Sequence, residues 1–242
     1  MPRTAAILVI GNEVLSGKVQ DRNSYFLCRE LRALGVQVAR MVSILDDIPT
    51  IGREARELSE AHDYVFTSGG VGPTHDDMTM EGIAHGFGVA AVHHPRLDAI
   101  LHQHYGGEVS TARRKMALVP EGALLVEAEG LFYPVPLYRN IYVLPGVPEI
   151  LEQKFRAIRE RFRDEPFFLK RLYLNALESS IADTLSAVVD EFSGIDIGSY
   201  PTWNFDEYKV LVTVESRDAA LLERAFAALV ERIPVAWVVK TG

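Results

Sequence analysis

The sequence has one cysteine, Cys28, in 242 residues, which excludes an internal disulfide framework and a multi-cysteine zinc site. It has no long apolar run. The longest near the start, residues 5–10, is far short of the roughly 20 residues a membrane span requires, so no membrane partner is expected. A charged head, apolar middle and small-residue cleavage site are also missing from the N-terminus, and the expected location is cytoplasmic. Positive charge is in deficit. A formal net charge of −8 argues against the basic surface that nucleic acid binding needs. Internal repeats and low-complexity tracts are absent. What remains, 48% hydrophobic and 24% charged, suits a globular enzyme with one large core or two unequal ones.

The first two-thirds alternates strand and helix signals. Residues 5–10 form a continuous apolar run, as expected of a strand covered on both faces. A glycine-containing loop, 11–19, follows. A helix then starts near Asp21, Asn23 and Ser24, with Phe26, Leu27, Leu31 and Leu34 on one face and Gly35 to close it. Residues 36–45 read as a second strand and 63–67 as a third. Between them Pro49 stands in a first helical turn, with Ile51, Ala55 and Leu58 as its stripe. Further helices are expected at 79–87, 97–105 and 110–118. A strand at 140–144 leads into a long helix whose one side carries Ile150, Leu151, Lys154, Phe155, Ile158 and Phe162. Such alternation implies a three-layer α/β fold with a mostly parallel sheet. Ligands then bind beyond the carboxyl ends of the strands, where the loops at Gly11, Ser68 and Pro145 meet. A charge-rich stretch ending at Pro166 marks a boundary, dividing the chain into 1–165 and 166–242. The second part reads as strand, helix, two strands, helix, strand: a βαββαβ order typical of a small split βαβ, α+β domain.

The strongest chemical signal is Thr67-Ser68-Gly69-Gly70-Val71-Gly72-Pro73-Thr74-His75-Asp76-Asp77-Met78-Thr79. Three glycines after a strand let the backbone turn sharply and approach a ligand closely. Successive N–H groups before a helix start form an anion site for phosphate, and Ser68 and Thr74 add hydroxyls. The plainer reading is a tight turn with Asp77 or Thr79 as helix cap. The loop lacks the lysine and spacing of a P-loop. Asp76 and Asp77 beside an anion make sense if they hold a hydrated divalent cation bridging to phosphate; Asp46 and Asp47 form a second acidic pair at the same sheet end. Glu13 is open between metal ligand, general base and hydrogen-bond acceptor. Pro145-Gly146-Val147-Pro148-Glu149 is either a plain helix entry or a second set of N–H groups facing a ligand. One of Arg113, Arg114 and Lys115 could neutralise a diphosphate. The histidines 85, 93, 94, 102 and 104 lack zinc-like spacing, and Cys28 reads as a buried, inert thiol.

As a set, Gly11-Asn12-Glu13-Val14-Leu15-Ser16-Gly17, Asp21 and Asn23, the Ser68–Thr79 run and Leu144-Pro145-Gly146-Val147-Pro148-Glu149 resemble the MoaB/Mog-like, molybdopterin-binding-type domain. They lie closest to the branch that holds the N-terminal domains of CinA and of FAD synthase. The tail, with Glu178-Ser179-Ser180-Ile181-Ala182 and Ile197-Gly198-Ser199-Tyr200-Pro201, resembles the segment that follows in FAD synthase. A CinA-type Gly-Thr-Ala-Pro-Gly stretch is absent, and with no room for one in 242 residues a synthetase or amidohydrolase domain is not expected. The resemblance implies that Gly69, Gly70, Gly72, Pro73 and Thr74 cradle phosphate together with Ser68, Gly11, Ser16, Asn23 and Lys115. It implies that Asp46, Asp76 and Asp77 hold a divalent metal (Mg, Mn or Co), that Asp77, Asp76 and Glu13 serve catalysis, and that Pro145 and Gly146 close the pocket. A small-molecule nucleotide or pterin ligand, with molybdopterin among the candidates, and a homo-oligomer are implied as well. The leading expectation is metal-dependent hydrolysis of a nucleotide pyrophosphate. A non-catalytic binding module is the alternative. Molybdopterin adenylylation stands third, because its usual loop is Thr-Gly-Gly-Thr-Gly and Val71 here replaces the hydroxyl residue.

Overall fold

A computed structural model describes residues 2–106, 108–203 and 207–242. The chain separates into two units, Met1–Asp164 and Glu165–Gly242, each with its own core.

In the first unit the elements run β1 (Thr4–Ile10), α1 (Asn12–Leu15), α2 (Asn23–Ala33), β2 (Gln37–Ile44), α3 (Ile48–Ala61), β3 (Tyr64–Ser68), α4 (Thr79–Phe87), β4 (Ala91–His93), α5 (Pro95–Tyr105), α6 (Thr111–Arg114), β5 (Leu118–Pro120), β6 (Leu124–Val126), β7 (Val135–Tyr138), β8 (Ile141–Leu144) and α7 (Pro148–Ile158). The main sheet has the order β2-β1-β3-β8-β7-β6. Its first four strands are parallel, and β7 and β6 add an antiparallel edge. The continuous apolar run of β1 serves two cores at once. Ala6, Leu8 and Ile10 face one helical layer with Ile51, Ala55, Leu58, Ile83 and Leu97. Ala5, Ile7 and Val9 face the other with Leu27, Leu31, Leu151, Phe155 and Phe162. That is the three-layer sandwich the alternation of strands and helices implies. On the second face Tyr64, Phe66, Tyr142, Phe155 and Phe162 form an aromatic cluster with centroid separations of 4.8 to 6.4 Å.

Helices α3 and α4 cross with their backbones touching. A Cβ at Gly52 would sit 2.8 Å from the Gly82 carbonyl oxygen, and one at Gly86 would collide with the Gly52 carbonyl. Local signals place the other starts. Asp47 caps α3 by accepting from the Thr50 N–H at 3.0 Å, so this half of the Asp46-Asp47 pair is a structural cap. Asp21 accepts from the Ser24 N–H at 3.0 Å at the start of α2. The region expected as a helix at 110–118 is instead the short α6, a single 3₁₀ turn at Lys115–Ala117 and strand β5. The expected loop at 11–19 contains α1. Neither Asp77 nor Thr79 caps α4: Met78 holds that position without a side-chain bond.

The second unit runs β9 (Phe168–Leu174), α8 (Glu178–Glu191), β10 (Asp196–Pro201), β11 (Val210–Ser216), α9 (Ala219–Arg232) and β12 (Val238–Thr241). Its sheet, β10-β11-β9-β12, is antiparallel throughout. Alternate residues Val210, Val212 and Val214 bury against Leu222, Phe226 and Leu229 of α9, as a sheet with one covered face requires. Asp218 caps α9, accepting from the Ala220 and Leu221 N–H groups at 2.9 and 3.0 Å. Among the described residues, no helix is long and apolar enough to cross a membrane.

Candidate functional site

Because β1, β3 and β8 are adjacent and parallel, the loops that leave their carboxyl ends share one edge of the sheet. Gly69 donates its N–H to the Leu144 carbonyl at 3.2 Å. Its φ of +106°, in the region only glycine enters freely, turns the chain so close to β1 that a Cβ would strike the Ile10 carbonyl oxygen. Gly146 abuts it from the other side, with its Cβ direction 3.3 Å from the Gly69 Cα. Thr79, fully buried, fastens the far end: its hydroxyl donates to the Gly69 carbonyl at 2.8 Å and its N–H to the Gly70 carbonyl at 3.0 Å.

One buried amide locks these loops. Asn23 Nδ2 donates to Ser68 Oγ at 2.9 Å and to the Gly146 carbonyl at 2.8 Å. Asn23 and Ser68 therefore brace the seam between the loops. Ser16 is also occupied locally, its hydroxyl donating to the Glu13 carbonyl at 3.3 Å. Gly11 is buried under the first loop and donates to the Ile44 carbonyl at 3.2 Å.

The outer side of the seam is acidic. Asp77 Oδ2 accepts from the Thr74 N–H at 2.8 Å and from the Thr74 hydroxyl, which curls the loop around Gly72 and Pro73. Asp46 Oδ2 accepts from the Asn12 N–H at 2.8 Å. Burial pushes the Asp46 carboxyl above the ordinary carboxylate range, the Asn12 bond offsets part of this, and the charges of Glu13, Asp76 and Asp77 push it up again. Asp46 thus stands within reach of the charges of three carboxylates, from two other loops, beside the phosphate-type loop. Among the described residues, no three carboxylate, imidazole or thiol groups stand close enough to form a metal cage alone. Of the basic cluster, Arg114 pairs with Asp98 at 3.5 Å and Arg113 lies over the Tyr105 ring at 4.1 Å. Lys115 is the member that reaches the loop, donating to the Thr74 carbonyl at 3.1 Å and pairing with Glu81 at 3.5 Å.

Beneath the loop lies a cavity of about 300 Å³. Gly70, Gly72, Asp77, Lys115 and Pro145 form its polar rim, and Met80, Leu101, Met116 and Val143 its apolar body. Tyr133 and Lys154, neither of them expected at a site, line its wall. The signal in the sequence was a lysine on the apolar stripe of α7. Glu13, Asn23, Ser68, Gly69 and Gly146 line a separate small cavity of about 50 Å³ on the other side of the seam. His104 packs between Tyr105 and Phe132, each ring 4.8 Å away, and His94 caps α5 by accepting from the Arg96 N–H. Cys28 is half-buried 3.4 Å from the Met41 sulfur, and burial, with Asp21, raises its thiol pKa.

Known proteins share this architecture. Residues 6–164 match the family described as "Probable molybdopterin binding domain", and residues 166–242 match "FAD synthase, middle domain". A "Probable FAD synthase" of Caenorhabditis elegans is 34% identical over 257 residues, covering 95% of this chain and 50% of that protein. The chain thus spans about half the length of such curated relatives. A protein of Archaeoglobus fulgidus is 34% identical over 90% of this chain and 93% of its own. The crystal structure of CinA, a protein of unknown function from Thermoplasma acidophilum, superposes with a TM-score of 0.61 at 31% identity, over 67% of this chain and 100% of that one.

Proposed function

Because the chain belongs to the molybdopterin-binding-domain (MoaB/Mog-like) family, in the branch of CinA and FAD synthase, we propose that its first unit hydrolyses a nucleotide pyrophosphate of the FAD or ADP-ribose class with the help of a divalent cation. The observation that carries this reading is a glycine loop whose Asp77 lines the cavity, with Asp46 close enough to feel the charges of Glu13, Asp76 and Asp77.

Backbone N–H groups between Gly69 and Thr74 suit phosphate oxygens. Carboxylates at the same place repel that anion unless a cation stands between them. The donors present fit such an ion. They are hard oxygens, and Asp46 is already destabilised as an anion, first by burial and then by its acidic neighbours. Magnesium takes only one or two protein carboxylates and completes its shell with water and phosphate oxygens, so a cage of three protein groups is not needed. Asp77 Oδ1, with Asp46 and Asp76, would hold it. Bound there, the cation offsets charge on the diphosphate and lowers the pKa of the attacking water.

The remaining work falls to the chain. Thr74 fixes Asp77 by its Oδ2 and leaves Oδ1 free to face the ligand. Lys115 adds positive charge at the rim. The proton released as water forms its bond to one phosphorus passes to solvent at the open rim, since Glu13, exposed on α1, lines the separate cavity across the seam. The bridging P–O bond breaks and its electron pair leaves with the second phosphate, so FAD would give AMP and FMN.

Purified protein with FAD or ADP-ribose and Mg²⁺, Mn²⁺ or Co²⁺ should release AMP. Asp77→Ala should lower the rate by roughly a hundredfold or more while melting normally. In parallel, Mg²⁺ should raise the melting temperature of the wild type and leave Asp46→Asn unmoved. AMP release that survives Asp77→Ala sinks the assignment. A ligand that raises the melting temperature without turnover favours the second reading, a molybdopterin or nucleotide binding module, in which the Asp77–Thr74 bonds serve only to shape the loop.

A further inference from the structure

Between α2 and α7 runs a groove of about 510 Å³ that shares no lining residue with the cavity beneath the glycine loop. Gln20, Asp21 and Arg22 belong both to this groove and to the small cavity beside the seam. Arg22 is the N-cap of α2 and has helical backbone angles. Arg22, Tyr25, Phe26 and Arg29, at i, i+3, i+4 and i+7, therefore share one face of that helix. The two arginines stand two turns apart, about 10 Å along the axis, a gap that two such long side chains can close on one anion.

The carboxylates of the groove are all engaged. Asp21 accepts from the Ser24 N–H at 3.0 Å, Glu30 pairs with Arg159 at 2.7 Å, and Glu152 pairs with Arg156 at 3.1 Å. Among the described residues neither Arg22 nor Arg29 pairs with a carboxylate. The chain carries 33 acidic residues against 25 lysines and arginines. Two arginines left over on one helical face of such a chain make a local positive field on a surface that otherwise repels anions. Arg29 lies over the Tyr25 ring, 5.7 Å from its centroid, which restricts its guanidinium. Tyr25, 68% exposed between the two arginines, adds a phenol hydroxyl as a further donor.

An open guanidinium fork matches two oxygens of a phosphate at once. Its attraction grows with the charge of the anion, so a terminal phosphate with two charges is favoured over a diester phosphate with one. We propose that the α2–α7 groove is a second anion site, outside the candidate catalytic cavity, for a terminal phosphate group: inorganic phosphate or a phosphate monoester. Arg22 and Arg29 hold it, and the Tyr25 hydroxyl donates to it between them. The site does not depend on the hydrolytic reading above.

Calorimetric titration of the full chain tests it, with a chelator present so that Asp46, Asp76 and Asp77 repel anions from the glycine loop. Inorganic phosphate and methyl phosphate should bind saturably, each at least about tenfold more tightly than dimethyl phosphate, and more weakly as salt is added. Whichever of the two binds more tightly identifies the occupant as the free ion or a monoester. The double variant Arg22→Gln/Arg29→Gln should lose this binding and melt normally, because both side chains are exposed. Dimethyl phosphate binding as tightly as methyl phosphate, phosphate binding that survives the double variant, or no saturation at millimolar concentration overturns the site. AMP release with Mg²⁺ should be equal in the double variant and the wild type. A double variant that alone loses AMP release would put both arginines in the hydrolytic site and overturn a separate groove; no AMP release from either protein removes hydrolysis alone.

Discussion

At the scale of single residues, the site was legible where chemistry follows from chain geometry and obscure where it follows from packing. Gly69 announces a turn because no other residue makes one so close to a neighbouring strand, while Cβ atoms at Gly70 and Gly72 would strike the side chains of Thr79 and Asp77. Asn23 and Ser68, polar beside the loop, read as ligand contacts; the folded chain shows Asn23 Nδ2 bonded to Ser68 Oγ while Asn23 Oδ1 is buried without a hydrogen bond. Lys154 was visible as a charge in an apolar stripe, but its surroundings come from residues 133 and 134, about twenty positions earlier. Burial pulls its ammonium down from 10.5 to about 8. Between those values the unfolded chain holds a proton that the folded chain has released. Stability therefore rises with pH across that window, and the penalty is fully present below pH 8. From pH 8 to pH 10 the wild type should gain on the order of 2 kcal/mol relative to Lys154→Met. Parallel melting curves of the two proteins would show no such divergence if the lysine were solvated.

At the scale of elements, long periodic segments were legible and short edges were not. The strand at residues 168–174 and the helix at 79–87 fall where alternation and periodicity put them. Strands β4, β5, β6 and β7 escaped because three or four residues carry too little pattern. Nor did the sequence reveal the crossing of α3 and α4, since glycines thirty residues apart acquire meaning only when they touch. Their contact predicts a strict size limit. Gly86→Ala should cost about 1–3 kcal/mol by forcing the helices apart, lowering the melting temperature by roughly 3–10 °C. The exposed neighbour His85→Ala should leave it nearly unchanged. Equal melting of the two variants would mean the crossing yields without strain.

At the scale of the whole molecule, the chain is built as two units with separate cores. All the loops of the candidate site, and both cavities beside the seam, belong to residues 1–164. That segment, expressed alone, should melt cooperatively and release AMP at the rate of the full chain; a fragment that melts without cooperativity would show that its two cores do not suffice. The Asn23 brace also sets an order in time. Its two partners lie 45 and 123 positions away along the chain, and contacts across such spans form late because loop closure must come first. Helices and β1 can be in place while β8 is still undocked, and in that interval no pocket exists. During refolding, the capacity to hold a ligand is therefore among the last properties to return, arriving as a single event when one amide finds both of its acceptors.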